Sequence, residues 1–304
     1  MMRIGITCGG GTPTDRVVDQ VVAAEEDGFT SVWFPGGGGA DALPSMAVAG
    51  RATERIELGT AIQQTYMCHP ILAAQRAAAV VDAMGRPGFT FGLGPGHAPH
   101  VEGVYRESYD HVGRHTEHYM EIVSGLLAGE SVDVVSDDVS AAGGVRLGPI
   151  AHEVPLLLAA LGPRLLRVAA EHSSGTILWM ANAASIRDHV APHLADAEGD
   201  GTRIVAGLPV AVTDDVDAAR ETAARLFQVY GTLPNYQRIL AAGGISSPQE
   251  AAIVGDEASV AGQLEELVAA GATDVWAAPF PVGDDRRTST ERTRRLLVEL
   301  ADGS

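Results

Sequence analysis

Ile56-Glu-Leu-Gly-Thr-Ala-Ile62 reads as a buried strand ending in small residues, and together with the next unit of the chain it decides the fold. A helix enters through His69-Pro70, and a second strand then ends in the run Gly92-Leu-Gly-Pro-Gly-His97. Two parallel strands that both stop in small residues leave backbone exposed at one end of a sheet. α/β proteins bind flat, phosphate-bearing cofactors at such ends.

The same unit recurs in both directions. Strand patterns at Arg3–Cys8, Thr30–Phe34, Ile56–Ile62 and Phe89–Leu93 alternate with helical ones at Asp15–Asp27, Ala42–Thr53, Pro70–Met84 and Tyr109–Leu127. After an irregular stretch, Gly129–Pro149, strands return at Val154–Leu158, Thr176–Met180, Ile204–Val212 and Thr273–Ala278. Helices at Arg164–Glu171, Ile186–Ala197, Val216–Tyr230, Glu257–Ala270 and Arg292–Leu300 separate and follow them. Eight strands alternating with helices favour a single (β/α)8 barrel over residues 1–304 rather than an open doubly wound sheet. Gly28-Phe-Thr-Ser-Val-Trp33 and Gly271-Ala-Thr-Asp-Val-Trp276 each read as a helix-ending glycine followed by a buried strand. Two segments break the repeat, at about 129–149 and 232–252. In a barrel, such insertions build walls around the mouth of the site.

Composition narrows the chemistry. A formal charge of −18 argues against nucleic acid and anionic membranes as partners. Cys8 and Cys68 give neither a disulfide framework nor a metal spacing and read as reduced thiols. Met1-Met-Arg-Ile-Gly-Ile-Thr7 runs straight into a strand with no signal peptide, so the expected location is the cytoplasm. Gly92-x-Gly94-x-Gly96 lacks the dinucleotide spacing. It reads instead as close backbone approach to a ring or phosphodiester, or simply as a turn.

Together these motifs resemble the luciferase-like monooxygenase superfamily, and more closely its branch that uses the deazaflavin coenzyme F420. The resemblance is carried by Gly28–Trp33, Arg55–Ile62, Tyr66-Met-Cys-His-Pro70, Phe89–His97, Ala159-Ala-Leu-Gly-Pro-Arg-Leu-Leu-Arg167, Gly175–Met180 and Ile253-Val-Gly-Asp-Glu257. It implies a (β/α)8 oxidoreductase in which F420 transfers hydride, most simply reducing a small organic substrate. It implies a cis peptide at Ala61-Ile62 forming a bulge behind the cofactor ring, and cofactor contacts from Gln64, Gly94, Pro95 and Gly96. The phosphate site falls to Ala159, Ala160, Leu161, Gly162, Pro163 and Arg164. A homodimer is expected as well. The alternatives are an FMNH2-dependent monooxygenase fed by a separate flavin reductase, or a redox-inert barrel.

The residues support parts of this independently. Ala159-Ala-Leu-Gly-Pro-Arg164 looks like a strand end, a tight turn and a proline opening a helix, whose first-turn amides suit a phosphate. Arg164 and Arg167 add charge beside it, although a plain strand-to-helix turn has the same pattern. His97, just past the fourth strand, is placed to donate a proton or to bond the cofactor. Tyr66 is the second catalytic candidate, facing the substrate cavity. His69 reads as a helix cap. His111, His115 and His118 share a helical face, but with no acidic partner beside them they read as that face rather than a metal site. Trp33, Trp179 and Trp276 either line an aromatic pocket or simply fill strands. One departure stands out. Where sugar- and alcohol-oxidising relatives carry an acid and a histidine, this chain has Phe34-Pro-Gly-Gly-Gly-Gly39. The loss of a base there points away from alcohol oxidation and toward reducing an activated double bond.

Overall fold

The computed structural model describes residues 2–9, 13–36, 40–195 and 202–302. Its strands are β1 (Arg3–Thr7), β2 (Ser31–Phe34), β3 (Glu57–Thr60), β4 (Gln63–Gln64), β5 (Phe89–Gly94) and β6 (Val132–Val134). They continue with β7 (Ala141–Val145), β8 (Leu156–Leu158), β9 (Gly175–Trp179), β10 (Arg203–Val212), β11 (Ile253–Gly255) and β12 (Asp274–Pro279). Eight of these close a parallel barrel in the order β1-β2-β3-β5-β8-β9-β10-β12, with β12 returning to β1. The eight correspond to the eight strand patterns of the sequence. β4 extends the sheet beside β5, and β11 adds to β10.

Large and small residues interlock inside the barrel. Trp33, Leu157, Ile177, Val205 and Trp276 form the inner core. Glycines on three strands make room for the indoles: a Cβ on Gly59 would lie 2.2 Å from Trp33, and one on Gly207 would lie 2.2 Å from Trp276. Gly5 is similarly close to Trp33. Trp33 is fully buried, and its Nε1 donates to Ser31 Oγ at 2.9 Å. It is therefore a core residue and lines no pocket.

The N-terminal end of the barrel is closed by charge. Arg203 reaches Glu57 at 2.8 Å and Asp274 at 2.7 Å, and Arg3 reaches the same two carboxylates at 2.7 and 2.8 Å. Each of the four stands on the first residue of its strand. The Arg203 guanidinium lies 5.9 Å from the Trp33 ring centroid, so the ionic plug rests directly on the core.

Helix boundaries follow local chemistry. His69 caps Pro70–Met84 through Nδ1, which accepts from the Ile71 amide at 3.3 Å. Gly28 and Gly271 have φ of +84° and +114°, as helix-ending glycines require. The helix expected over Val216–Tyr230 stops at Leu226, because Phe227 turns inward against Trp179 and Phe280. The segment over Ile186–Ala197 starts earlier, at Ala183, and passes through a π-turn at Ile186–Val190 before Ala191–Leu194. Residues 196 and 197 lie outside the described ones. The irregular stretch 129–149 carries the hairpin β6–β7. The stretch 232–252 carries the helix Pro234–Ala242 and a turn of helix at Pro248–Ala251. No described helix is long and apolar enough to cross a membrane.

Candidate active site

A cavity of about 1110 Å³ opens at the C-terminal end of the strands. Its floor is small and apolar: Ala61, Ile62, Gly94 and Ala159. The Ala61–Ile62 peptide is cis, where the resemblance placed it. Glycines let the chain close around this bulge. A Cβ on Gly36 would sit 1.9 Å from the Ile62 carbonyl oxygen, and one on Gly92 would sit 2.0 Å from that of Thr60. Gly94 is tight for a different reason, since its Cβ would meet Ala159 Cβ at 2.9 Å and Ile62 at 3.1 Å. The glycine run thus serves packing under the floor as much as approach from above.

One side of the cavity is polar. Gly96 has φ +72°, and its carbonyl accepts from Tyr109 Oη at 2.8 Å. Pro95 lines the cavity beside it. Gln64 is held by Tyr105, whose hydroxyl donates to Oε1 at 3.0 Å and also meets His100 Nε2 at 2.9 Å. The helix Pro163–His172 begins here with Gly162 as its N-cap and no side chain capping it. Nothing lies within 4 Å of where a Gly162 Cβ would stand, so the helix start faces open space. Leu161, Pro163 and Arg164 line the same edge. Arg164 pairs with Glu117 at 3.0 Å, and its side chain lies so close over Gly113 that a Cβ there would touch it at 2.7 Å. Arg114 and Arg238 also line the cavity, Arg114 paired with Asp138, and Asp110 is the carboxylate among the lining residues. Arg238 is exposed and makes no ion pair among the described residues. A chain of charge −18 therefore concentrates three arginines at this mouth.

The opposite wall is aromatic: Trp179, Trp276, Tyr230 and Tyr236, with Leu233 beside them. Trp179 and Trp276 stand 5.1 Å apart between ring centroids, and Tyr230 and Tyr236 stand 4.8 Å apart. His97 joins the end of this wall, edge-on to Tyr236 at 5.7 Å. Its Nδ1 is buried with no hydrogen-bond partner. Burial first, then the neighbouring His100, push its pKa down, so the imidazole is neutral at pH 7.

Three expectations need correction. Tyr66 does not face this cavity. After the bulge, the chain turns through Thr65–Met67 and carries the ring into a separate side chamber of about 630 Å³. There it stacks on His115 at 4.0 Å, 11° from parallel. Burial pushes its phenol pKa up to about 12, aided by Asp138 and Glu107. Ala160 is fully buried behind the floor and lines nothing, because the strand alternation points Ala159 inward and Ala160 outward. Arg167 is absent from the cavity wall. The glycines at 37–39 of the Phe34–Gly39 run lie outside the described residues. No group of three metal-ligating side chains occurs among the described residues, and His111 instead lines the cavity. The sequence reading also missed Arg114, Arg238, Tyr230 and Tyr236. The last three belong to or adjoin the 232–252 insertion, whose position as a wall was the available signal.

A (β/α)8 barrel with an apolar floor, an open helix start and clustered cations at one end defines a class of cofactor-binding barrels. A family model described as luciferase-like monooxygenase matches residues 2–274, and the chain belongs to that family. It is 30% identical over 195 residues to a Mycobacterium tuberculosis protein provisionally named a coenzyme F420-dependent oxidoreductase; the match covers 57% of this chain and 54% of that relative, about half its length. It is 25% identical over 304 residues to the 5,10-methylenetetrahydromethanopterin reductase of Methanolobus tindarius, covering 97% and 91% of the two chains. Among solved structures, an F420-dependent secondary alcohol dehydrogenase with an F420–acetone adduct superposes with a TM-score of 0.79 at 17% identity, covering 97% and 98%.

Proposed function

We propose that this chain is an oxidoreductase that uses coenzyme F420 to reduce a small organic substrate. The observation that carries the reading is one cavity joining a flat apolar floor to a cationic helix start. F420 is a flat deazaflavin with a phosphodiester and an acidic tail, and when bound it supplies hydride. Ala61, Ile62, Gly94 and Ala159 would support the ring. The amides after Gly162 would hold the phosphodiester, and Arg164 would flank it. Arg238, with no ion pair among the described residues, is available to the acidic tail. The relatives named above support the same cofactor.

The chain's residues set the remaining chemistry. His97, neutral and unpartnered at Nδ1, bonds to the reacting pair or orders the water that protonates the product. Among the cavity residues, Asp110 is the lone carboxylate, and it stands on the cationic side. No carboxylate stands on the aromatic wall, so neutral His97 at its end is the group that would exchange a proton with the substrate in either direction of hydride transfer. Titration of the purified protein with F420 and FMN at two ionic strengths tests the reading. F420 should bind at least tenfold more tightly than FMN, and its binding should weaken with salt. Tighter FMN binding would instead make the protein an FMNH2-dependent monooxygenase served by a separate reductase. Binding of neither would leave a redox-inert barrel.

A further inference from the structure

The aromatic wall carries more polar information than its composition suggests. Thr7 Oγ1 accepts from Trp276 Nε1 at 2.7 Å and donates to the Ala277 carbonyl at 3.3 Å, so the hydrogen-bonding groups at that corner are already engaged. The Trp179 indole N–H is buried with no hydrogen-bond partner among the described residues. Burial raises the Tyr230 phenol pKa, and the neighbouring Trp179 offsets part of that rise. Tyr230 Oη–H donates to no acceptor among the described residues, and its ring meets Trp179 at 6.1 Å and Tyr236 at 4.8 Å. Two donors without acceptors among the described residues, Trp179 Nε1 and Tyr230 Oη, therefore stand on neighbouring cavity-lining residues. Trp179, Trp276, Tyr230, Tyr236 and Leu233 bear no formal charge; of the cavity's arginines, Arg114 and Arg164 are paired with Asp138 and Glu117, and Arg238 stands on the helix that carries Tyr236.

We infer that this wall is the substrate's seat, and that it takes an uncharged, planar, conjugated ketone or enone whose carbonyl oxygen accepts the Tyr230 proton. The inference deepens the F420 reading and rests on it. Two features argue against other classes, and a third suits this one. A phosphate or carboxylate substrate would find no cation among these five side chains. A polyol would find few acceptors. An aromatic or alicyclic body fits between indole and phenol rings. Trp179 supplies a second donor to the same seat, because its buried N–H has no partner among the described residues and its ring adjoins Tyr230. Tyr236 also has a hydroxyl without an acceptor among the described residues, but its ring meets His97 and Tyr230 rather than the Trp179 indole.

The test uses three ring compounds of one size: 1-tetralone, naphthalene and 1-naphthoate. Each is titrated calorimetrically into the full chain, alone and with F420 bound. Tetralone should bind about three- to tenfold more tightly than naphthalene, the worth of one net hydrogen bond, and naphthoate should bind most weakly. Y230F should erase the tetralone preference while leaving naphthalene and F420 affinities within twofold. Infrared spectra supply a signature that a merely structural role would not move. The tetralone carbonyl stretch should be lower on the wild type than on Y230F, intermediate on W179F and unchanged on Y236F. An unshifted stretch in Y230F, a shift lost only in Y236F, or tighter binding of naphthoate would overturn the inference. Failure of F420 to bind while the Tyr230-dependent stretch persists would remove the cofactor reading and keep the ketone seat. F420 binding without that stretch would do the reverse.

Discussion

At the scale of single residues, position 94 shows how the structure changes the argument. The glycine run suggests that a side chain there would fill cofactor space. The geometry instead aims that side chain at Ala159 and Ile62, at 2.9 and 3.1 Å. Gly94→Val should therefore lift the floor itself, lowering stability by about 1–3 kcal/mol and weakening F420 binding together. Urea unfolding and a cofactor titration check both, and a normal value in either would contradict it. His97 gives a kinetic and a thermodynamic expectation. His97→Ala should reduce turnover by about 10²-fold with F420 affinity nearly intact. Because the folded protein holds His97 neutral, the unfolded chain takes up more protons as pH falls below about 6.5. The imidazole thus favours the fold above that pH, and the advantage is lost on acidification. Unfolding midpoints at pH 7.5 and 5.5 should differ less in His97→Gln than in the wild type. Motif and order made His97 legible in sequence, along with Gln64 and most of the floor. Tyr66 was misplaced because the facing of a residue beyond a bulge depends on backbone turns that strand alternation does not encode.

At the scale of elements, the strand ends were readable and the walls were not. Small residues at Gly59, Gly92 and Gly94 mark strand ends in any barrel, whereas the hairpin β6–β7 and the helix Pro234–Ala242 lie in segments with weak periodicity. The helix Pro163–His172 is the element on which cofactor choice turns. Arg164 there is half exposed and already tied to Glu117, so its net worth is modest. Arg164→Ala should weaken F420 by about 1 kcal/mol in low salt and by less in high salt. Glu117→Gln releases the guanidinium and should leave F420 affinity equal or tighter. If Glu117→Gln weakened binding as much as Arg164→Ala does, the pair would be acting as a scaffold rather than as an anion site.

At the scale of the whole molecule, the ionic plug at the closed end holds the barrel shut. Asp274 is almost fully buried, and Arg203, Thr273 and Arg3 hold its carboxyl below the usual range against the opposing cost of burial. Asp274→Asn should cost about 3 kcal/mol, since it strips one counter-charge from the partly buried Arg203. In the wild type, the carboxylate's contribution is present above its unfolded value near pH 4 and fades as pH falls through the lower folded one. Acid titration of the unfolding midpoint in both proteins measures it. Nothing in the sequence pattern announces this network, because positions 3, 57, 203 and 274 share no local motif. That separation reaches into biosynthesis. The contact between Arg3 and Asp274 spans 271 positions, and β1 finds its second neighbour only in β12. A nascent chain can lay down βα units in turn, yet its first strand keeps an open edge until the last has emerged. Closure is then a late, long-range event, and a ribosome-bound fragment ending before β12 is the form in which this protein is most exposed to aggregation.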